Sequence, residues 1–190
     1  MPYISILQVI ARRIGGYGSI FDPWRWYKRL PMEVRVLVDT AGFGPFCSGL
    51  IQMRVESLLY RALVERWWDT TDLFHFSLIG EMTLTPYDFM MLTGLRVGVG
   101  GLIACDLDIM QWRAAHPQLL GVIPDATSHG YSWFFEYFSD FQPTTLDEVA
   151  QYTYSFLMYL HGTTLFTNRK NTVGLFLGAL VYLPYVAEYN

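Results

Sequence analysis

The stretch FHFSLIGEMTLTPYDF, Phe74 to Phe89, places His75, Glu81, Thr83, Thr85 and Asp88 within sixteen residues. Such a density of acid, base and hydroxyl groups suits either acid–base chemistry or a tightly specified local scaffold. Phe74, Phe76 and Leu78 alternate with His75 and Ser77, the period of a half-buried strand. Gly80 permits a turn, and Met82 and Leu84 resume the alternation, so a small hairpin is expected near residues 73–85. Thr85-Pro86-Tyr87-Asp88 then matches a helix start. Thr85 stands at the N-cap, Pro86 at the first helical position, and Asp88 near the positive end of the helix dipole. The helix PYDFMMLT should stop at Gly94, a residue suited to the position after a helix end.

Working outward, most of the chain has helical spacing. PMEVRVLVDTAGFG, from Pro31, reads as a short helix that Gly42 ends. Ser48 to Trp67 reads as one longer helix. In it Ile51, Val55, Leu58, Leu59, Ala62 and Leu63 form an apolar face opposite Arg54, Ser57, Arg61 and Glu65. Arg61 and Glu65 are spaced for an i,i+4 ion pair. YSWFFEYFSDF is a short aromatic helix. Thr145-Leu146-Asp147-Glu148 is a capping box that opens a helix carrying Val149, Tyr152, Phe156 and Tyr159, closing at Gly162. RVGVGGLIA is a glycine-rich link, Asp106 to His116 a further helix, and NRKN a polar turn before a last apolar helix. Residues 1–30 lack clean periodicity and read as a connector. The expected architecture is mainly α: one irregular multi-helix domain over 31–190 with one small hairpin.

Composition narrows the function classes. Hydrophobic residues make up 52% of the 190 and aromatics 17%, which excludes global disorder. Charged residues are only 16%, against roughly 25% for typical soluble domains, which implies a surface that other protein covers. Net charge is -4, and Lys28 and Lys170 are the only lysines, so a general polyanion binder is disfavoured. WRWYKR, Trp24 to Arg29, alternates aromatics with bases; it reads as a solvated loop anchored by its tryptophans, with Arg25, Lys28 and Arg29 the residues for any nucleic-acid contact. Cys47 and Cys105 make no disulfide framework, which suits a reducing compartment. The N-terminus is a poor signal peptide, and Val173 to Val186 is short of the roughly 20 apolar residues a membrane span needs. No membrane partner is expected.

Leu63 to Gly101 resembles the signature of the plant mobile domain family, the aminotransferase-like plant mobile domain of MAIN-like and long-form phosphatase 7 homolog-type proteins. The matching positions are Arg66, Trp67, Thr71, Phe74, His75, Gly80, Glu81, Met82, Thr83, Thr85, Asp88, Gly94 and Leu95. DTAGFGPF and YLHGTTLFTNRKN also look like family positions, and weaker similarity extends from about residue 32. Pro86 stands where the family has Leu, and Ser77-Leu78-Ile79 replaces a proline-containing link. The chain stops at Asn190, where the family domain continues, which suggests a partial member. The resemblance implies a transposon-related, non-enzymatic plant nuclear protein linked to meristem maintenance, genome stability and silencing of mobile elements. It further implies a protein partner, phosphatase-like or another plant-mobile-domain protein, with nucleic acid contacted only indirectly or weakly.

The aminotransferase-like label finds little chemical support. Pyridoxal phosphate needs a Schiff-base lysine beside a phosphate cradle, and neither Lys28 nor Lys170 adjoins one. No cofactor is therefore expected. His75, His116, His129 and His161, with Asp106 and Asp108, lack zinc spacing. Gly98, Gly100 and Gly101 complete neither a P-loop nor GxGxxG, and GxSxG is absent. An enzyme using His75, Glu81 and Asp88 remains the alternative. The structural reading gives each a local job, with Glu81 paired to Arg66. No catalytic, cofactor or metal residue is assigned.

Overall fold

The computed structural model describes residues 21–50, 57–95, 117, 119–122 and 131–165. The glycine-rich link, the Asp106–His116 helix, NRKN and the Val173–Val186 run lie outside the described residues. The chain divides into two compact units: Met1–Gly16 with Met53–Thr85, and Tyr17–Gln52 with Pro86–Asn190. The architecture is mainly α with one small antiparallel sheet.

The second unit holds the larger core. Its described helices are α1 (Phe21–Arg29), α2 (Met32–Thr40), α3 (Gly44–Gly49), α5 (Pro86–Thr93), α6 (Tyr131–Phe138) and α7 (Leu146–Leu160). A π-helical turn, His161–Leu165, follows α7. Helix α7 is the spine, and α2 and α6 pack on it. Its start is the expected capping box: Thr145 Oγ1 accepts from the Glu148 N–H at 3.2 Å, and Glu148 Oε2 accepts from the Thr145 N–H at 3.0 Å. The bonds to Thr144 and Thr145 hold the Glu148 carboxyl below its ordinary pKa. Thr145→Ala removes one arm of this box and should cost about 1 kcal/mol in urea unfolding, with an unchanged m-value.

Helix α1 forms where a connector and a solvated loop were expected. Pro23, Trp26 and Tyr27 are buried on one side, while Arg25, Lys28 and Arg29 stay exposed on the other. Trp26 and Tyr27 of WRWYKR therefore specify the core rather than anchor a loop. Arg35 fastens the helix end by donating from Nη2 to the carbonyls of Tyr27 (2.9 Å) and Lys28 (2.8 Å). The Tyr27 carbonyl otherwise accepts only a long bond from the Leu30 N–H at 3.4 Å, and a cationic donor at a helix C-terminus is favourable.

The first unit contains α4 (Ser57–Val64) and the strands β1 (Trp67–Trp68), β2 (Leu73–Phe76) and β3 (Gly80–Met82), in the order β1-β2-β3. The expected hairpin is β2–β3, and Gly80 turns it with φ +94°. The added strand corrects the expected helix of Ser48 to Trp67. Ser48 and Gly49 end α3, Leu50 is extended, and Trp67 has left helical geometry. The cross-strand ring pair of Trp67 with Phe74, at 4.9 Å, explains why Trp67 favours a strand. Glu65 donates its backbone N–H to the Arg61 carbonyl, but the expected Arg61–Glu65 side-chain ion pair does not form. Helix α5 occupies the expected residues and ends at Gly94, whose φ of +72° favours glycine.

Candidate functional site

The hairpin brings together two residues of the expected acid–base set. His75 and Glu81 face each other across β2 and β3, and His75 Nδ1 lies 3.4 Å from Glu81 Oε1. His75 Nε2 lies 3.1 Å from Thr71 Oγ1, in the turn between β1 and β2. The imidazole also stacks on Trp68, with ring centroids 4.4 Å apart and planes inclined by 29°. Cross-strand pairing thus aligns a hydroxyl, an imidazole and a carboxylate. Asp88 belongs to the second unit, in the first turn of α5.

The same geometry corrects the expected Glu81–Arg66 pair. Among the described residues the sole ion pair is His75–Glu81. Arg66 instead donates to the Ala62 carbonyl at 2.7 Å and lies over the Phe76 ring at 5.6 Å. Thr83 donates to the carbonyl of Asp72, whose φ of 52° is left-handed, so it pins the turn that carries Thr71. His75, Glu81, Thr83 and Phe74 of the hairpin therefore each have a contact that shapes the sheet.

The alignment is the skeleton of a proton relay, with the carboxylate orienting the ring and the ring facing a hydroxyl. Nucleophilic catalysis also needs preorganised donors for developing charge in a water-excluded site. Here Glu81 is 59% exposed and His75 24%, so both groups face solvent that screens their charge. Among the described residues no three His, Cys, Asp or Glu side chains are placed to hold a metal ion. No described helix is long and apolar enough to cross a membrane.

The reactive groups of the second unit are buried inside helix packing. Burial and the nearby Asp39 carboxylate push the Cys47 thiol up to about 12, so it stays protonated and unreactive. Tyr27 Oη donates to Asp39 Oδ1 at 2.7 Å, and burial raises the phenol's pKa. His161, at the start of the π turn, donates from Nδ1 to the Leu157 carbonyl at 2.7 Å, and its ring meets Phe43 edge-on at 5.1 Å. Burial lowers its pKa below 6.5, although the Leu157 bond opposes that shift. In the sequence His161 stands in the family-like YLHGTTLFTNRKN segment and lacks zinc spacing; its place at the end of a long apolar helix pattern is the signal for burial.

This gives a pH prediction with a definite sign. The unfolded chain protonates near pH 6.5 while folded His161 resists, so the unfolded state binds more protons as pH falls. The His161 contribution is complete above pH 6.5 and is lost as pH falls below it. Urea midpoints should drop between pH 7.5 and 5.5, and His161→Gln should flatten that segment. An unchanged slope in the variant would contradict the assignment.

The family model for the plant mobile domain matches residues 45–188. The chain is 33% identical over 187 residues to Protein MAIN-LIKE 2 of Arabidopsis thaliana, covering 95% of this chain and 26% of that protein. It is 35% identical over 157 residues to Protein MAINTENANCE OF MERISTEMS of the same plant, covering 78% of the chain and 31% of the relative. It is 30% identical over 168 residues to a serine/threonine-protein phosphatase 7 long form homolog, covering 84% of the chain and 12% of that protein. The chain therefore spans about a third or less of each of these relatives. No solved structure matches it significantly. The match runs through α5, α6 and α7, and the chain belongs to the plant mobile domain family.

Proposed function

We propose that this chain is a non-catalytic interaction module of a plant nuclear complex, transposon-related and serving meristem maintenance, genome stability and silencing of mobile elements. The observation that supports it is apolar surface left in water on a sheet whose polar residues have structural work. Leu78 and Ile79, at the hairpin tip, are 97% and 74% exposed, and Trp68 and Met82 are exposed beside them. Hairpin tips are ordinarily polar, and such side chains mark contacts. The name of one relative, MAINTENANCE OF MERISTEMS, supports the meristem part of this reading. The partner in this proposal is a phosphatase-like protein or another protein that carries a plant mobile domain.

The test is affinity purification from plant nuclei with the tagged chain and its Leu78→Ser/Ile79→Ser variant. The expected result is enrichment of a phosphatase-like or plant-mobile-domain protein by the first and its loss from the second, with matching circular dichroism. Equal enrichment by both removes the hairpin tip from the interaction. The alternative, hydrolytic or transferase-like chemistry, draws on the Thr71–His75–Glu81 alignment. Glu81→Gln separates the two readings: turnover of an activated ester that this variant abolishes, in a folded chain, would replace the interaction reading with the enzyme.

A further inference from the structure

We propose that the exposed face of helix α1 binds single-stranded nucleic acid through Arg25, Lys28 and Arg29, with Trp24 as the stacking residue. The helix organises what a loop would leave scattered. Arg25, Lys28 and Arg29 are spaced i, i+3, i+4, so they share one face, about 5–6 Å apart at Cβ. All three are exposed, while Pro23, Trp26 and Tyr27 turn into the core and fix the rotation of the helix.

These cations are not used up inside the protein. Arg25 lies over Phe21 at 5.2 Å and Lys28 over Trp24 at 5.9 Å, each ring one turn before its cation. Among the described residues none of the three has a carboxylate partner within ion-pair distance. The C-terminal end of the helix dipole offers only about half a negative charge, and Arg35 already serves carbonyls there. Three of the chain's 13 basic residues thus stand within five positions without an ion-pair partner among the described residues, facing one acid of the same helix, Asp22, on a chain whose net charge is -4. A local positive stripe on an acidic molecule attracts a polyanion to that stripe alone.

The aromatic component favours nucleic acid over an acidic peptide. Phe21 and Trp24 are partly buried, Trp24 with one side against the core, and they stack on one another, 6.1 Å between centroids with a 24° tilt, in the same strip as the cations. Cations tracking phosphates beside rings that accept bases are the pattern of single-strand binding without sequence readout. An acidic peptide would use the charges and leave the rings idle.

The experiment titrates the full 190-residue chain into a labelled oligothymidylate at several salt concentrations. Three phosphate contacts on a single strand give a slope of about -2 in log K against log salt. Arg25→Glu/Lys28→Glu/Arg29→Glu should abolish binding. The milder Arg25→Gln/Lys28→Gln/Arg29→Gln keeps the test valid if charge reversal unfolds the helix, and should flatten the salt slope. Trp24→Leu keeps an apolar contact and should weaken binding about tenfold through lost stacking. No binding, a flat salt dependence, or affinity that survives the glutamine substitutions overturns the proposal. Equal affinity for poly-glutamate assigns the face to an acidic protein instead and also overturns it. None of these outcomes touches the Leu78–Ile79 tip, so failure here leaves the interaction reading standing.

Discussion

Trp26→Ala is expected to leave the helical unit at or below the edge of folding. Trp26 is fully buried and meets Phe135 (5.4 Å), Phe156 (5.4 Å) and Tyr159 (5.0 Å) edge-on. Edge-to-face pairs of this kind add to the area term, and large aromatic-to-alanine changes in cores cost about 3–5 kcal/mol. A second loss accompanies the cavity. Trp26 Nε1 donates to Tyr152 Oη at 3.0 Å, across 126 positions of sequence. Truncation leaves that hydroxyl buried without its donor, a further cost of about 1–3 kcal/mol. Set against a typical domain stability of about 5–15 kcal/mol, the sum removes most of the margin. Urea unfolding followed by tryptophan fluorescence and far-ultraviolet circular dichroism reads the loss. Tyr152→Phe isolates the hydrogen bond and should cost only the smaller amount. A loss below about 1 kcal/mol for Trp26→Ala would contradict the placement of this ring at the core centre.

Gly162→Ala is expected to be damaging too, through overlap rather than a cavity. Gly162 lies in the π turn after α7, and a Cβ there would enter the ring of Tyr131, at the start of α6. That ring is buried, so it cannot swing into solvent. Either the ring leaves its place or α6 and the turn move apart, and overpacking of this kind costs about 1–3 kcal/mol or more. Tyr131 Oη is buried without a hydrogen-bond partner, so the site already carries an unmet polar group. A double-mutant cycle with Tyr131→Val makes the claim specific. The pair should be less damaging than the two single changes added together, because removing the ring makes room for the methyl group. Strict additivity would show that the methyl group and the ring do not meet.

These two sites mark the boundary of what local pattern could disclose. Pro86 to Gly94 was legible because every determinant is adjacent: a proline at the first helical position, an acid in the first turn, a glycine at the end. The Thr145–Glu148 capping box was legible for the same reason, since both of its hydrogen bonds close within four residues. Tyr131 and Gly162 lie 31 positions apart, and neither spacing nor propensity joins them. Helix α1 segregates its apolar and basic residues at helical spacing, but it is only nine residues long and its Trp24-Arg25-Trp26 alternation masks that spacing; the aromatic rings of α6 and α7 that receive Trp26 settle which side is buried. Trp67 was read as a helix end because it follows a helical run. Pairing with Phe74 overrides that preference, as strand preference depends on cross-strand contacts more than on the residue itself.

The stretch from Phe74 to Phe89 divides along the same line. Alternation and turn chemistry in the sequence determined the hairpin, the start of α5, and the mainly helical class of the whole chain. Only the tertiary structure decided which side chains meet within the hairpin. Register, the property that a one-residue slip inverts, sets His75 opposite Glu81 and leaves Arg66 on Phe76. Likewise the sequence supplied the cations of WRWYKR, but burial of Trp26 and Tyr27 decided that Arg25, Lys28 and Arg29 share one exposed face. Local hydrogen bonds and turn geometry act within a few residues and can be read directly. Packing acts between residues far apart in the chain, and it exists only once the chain has closed on itself.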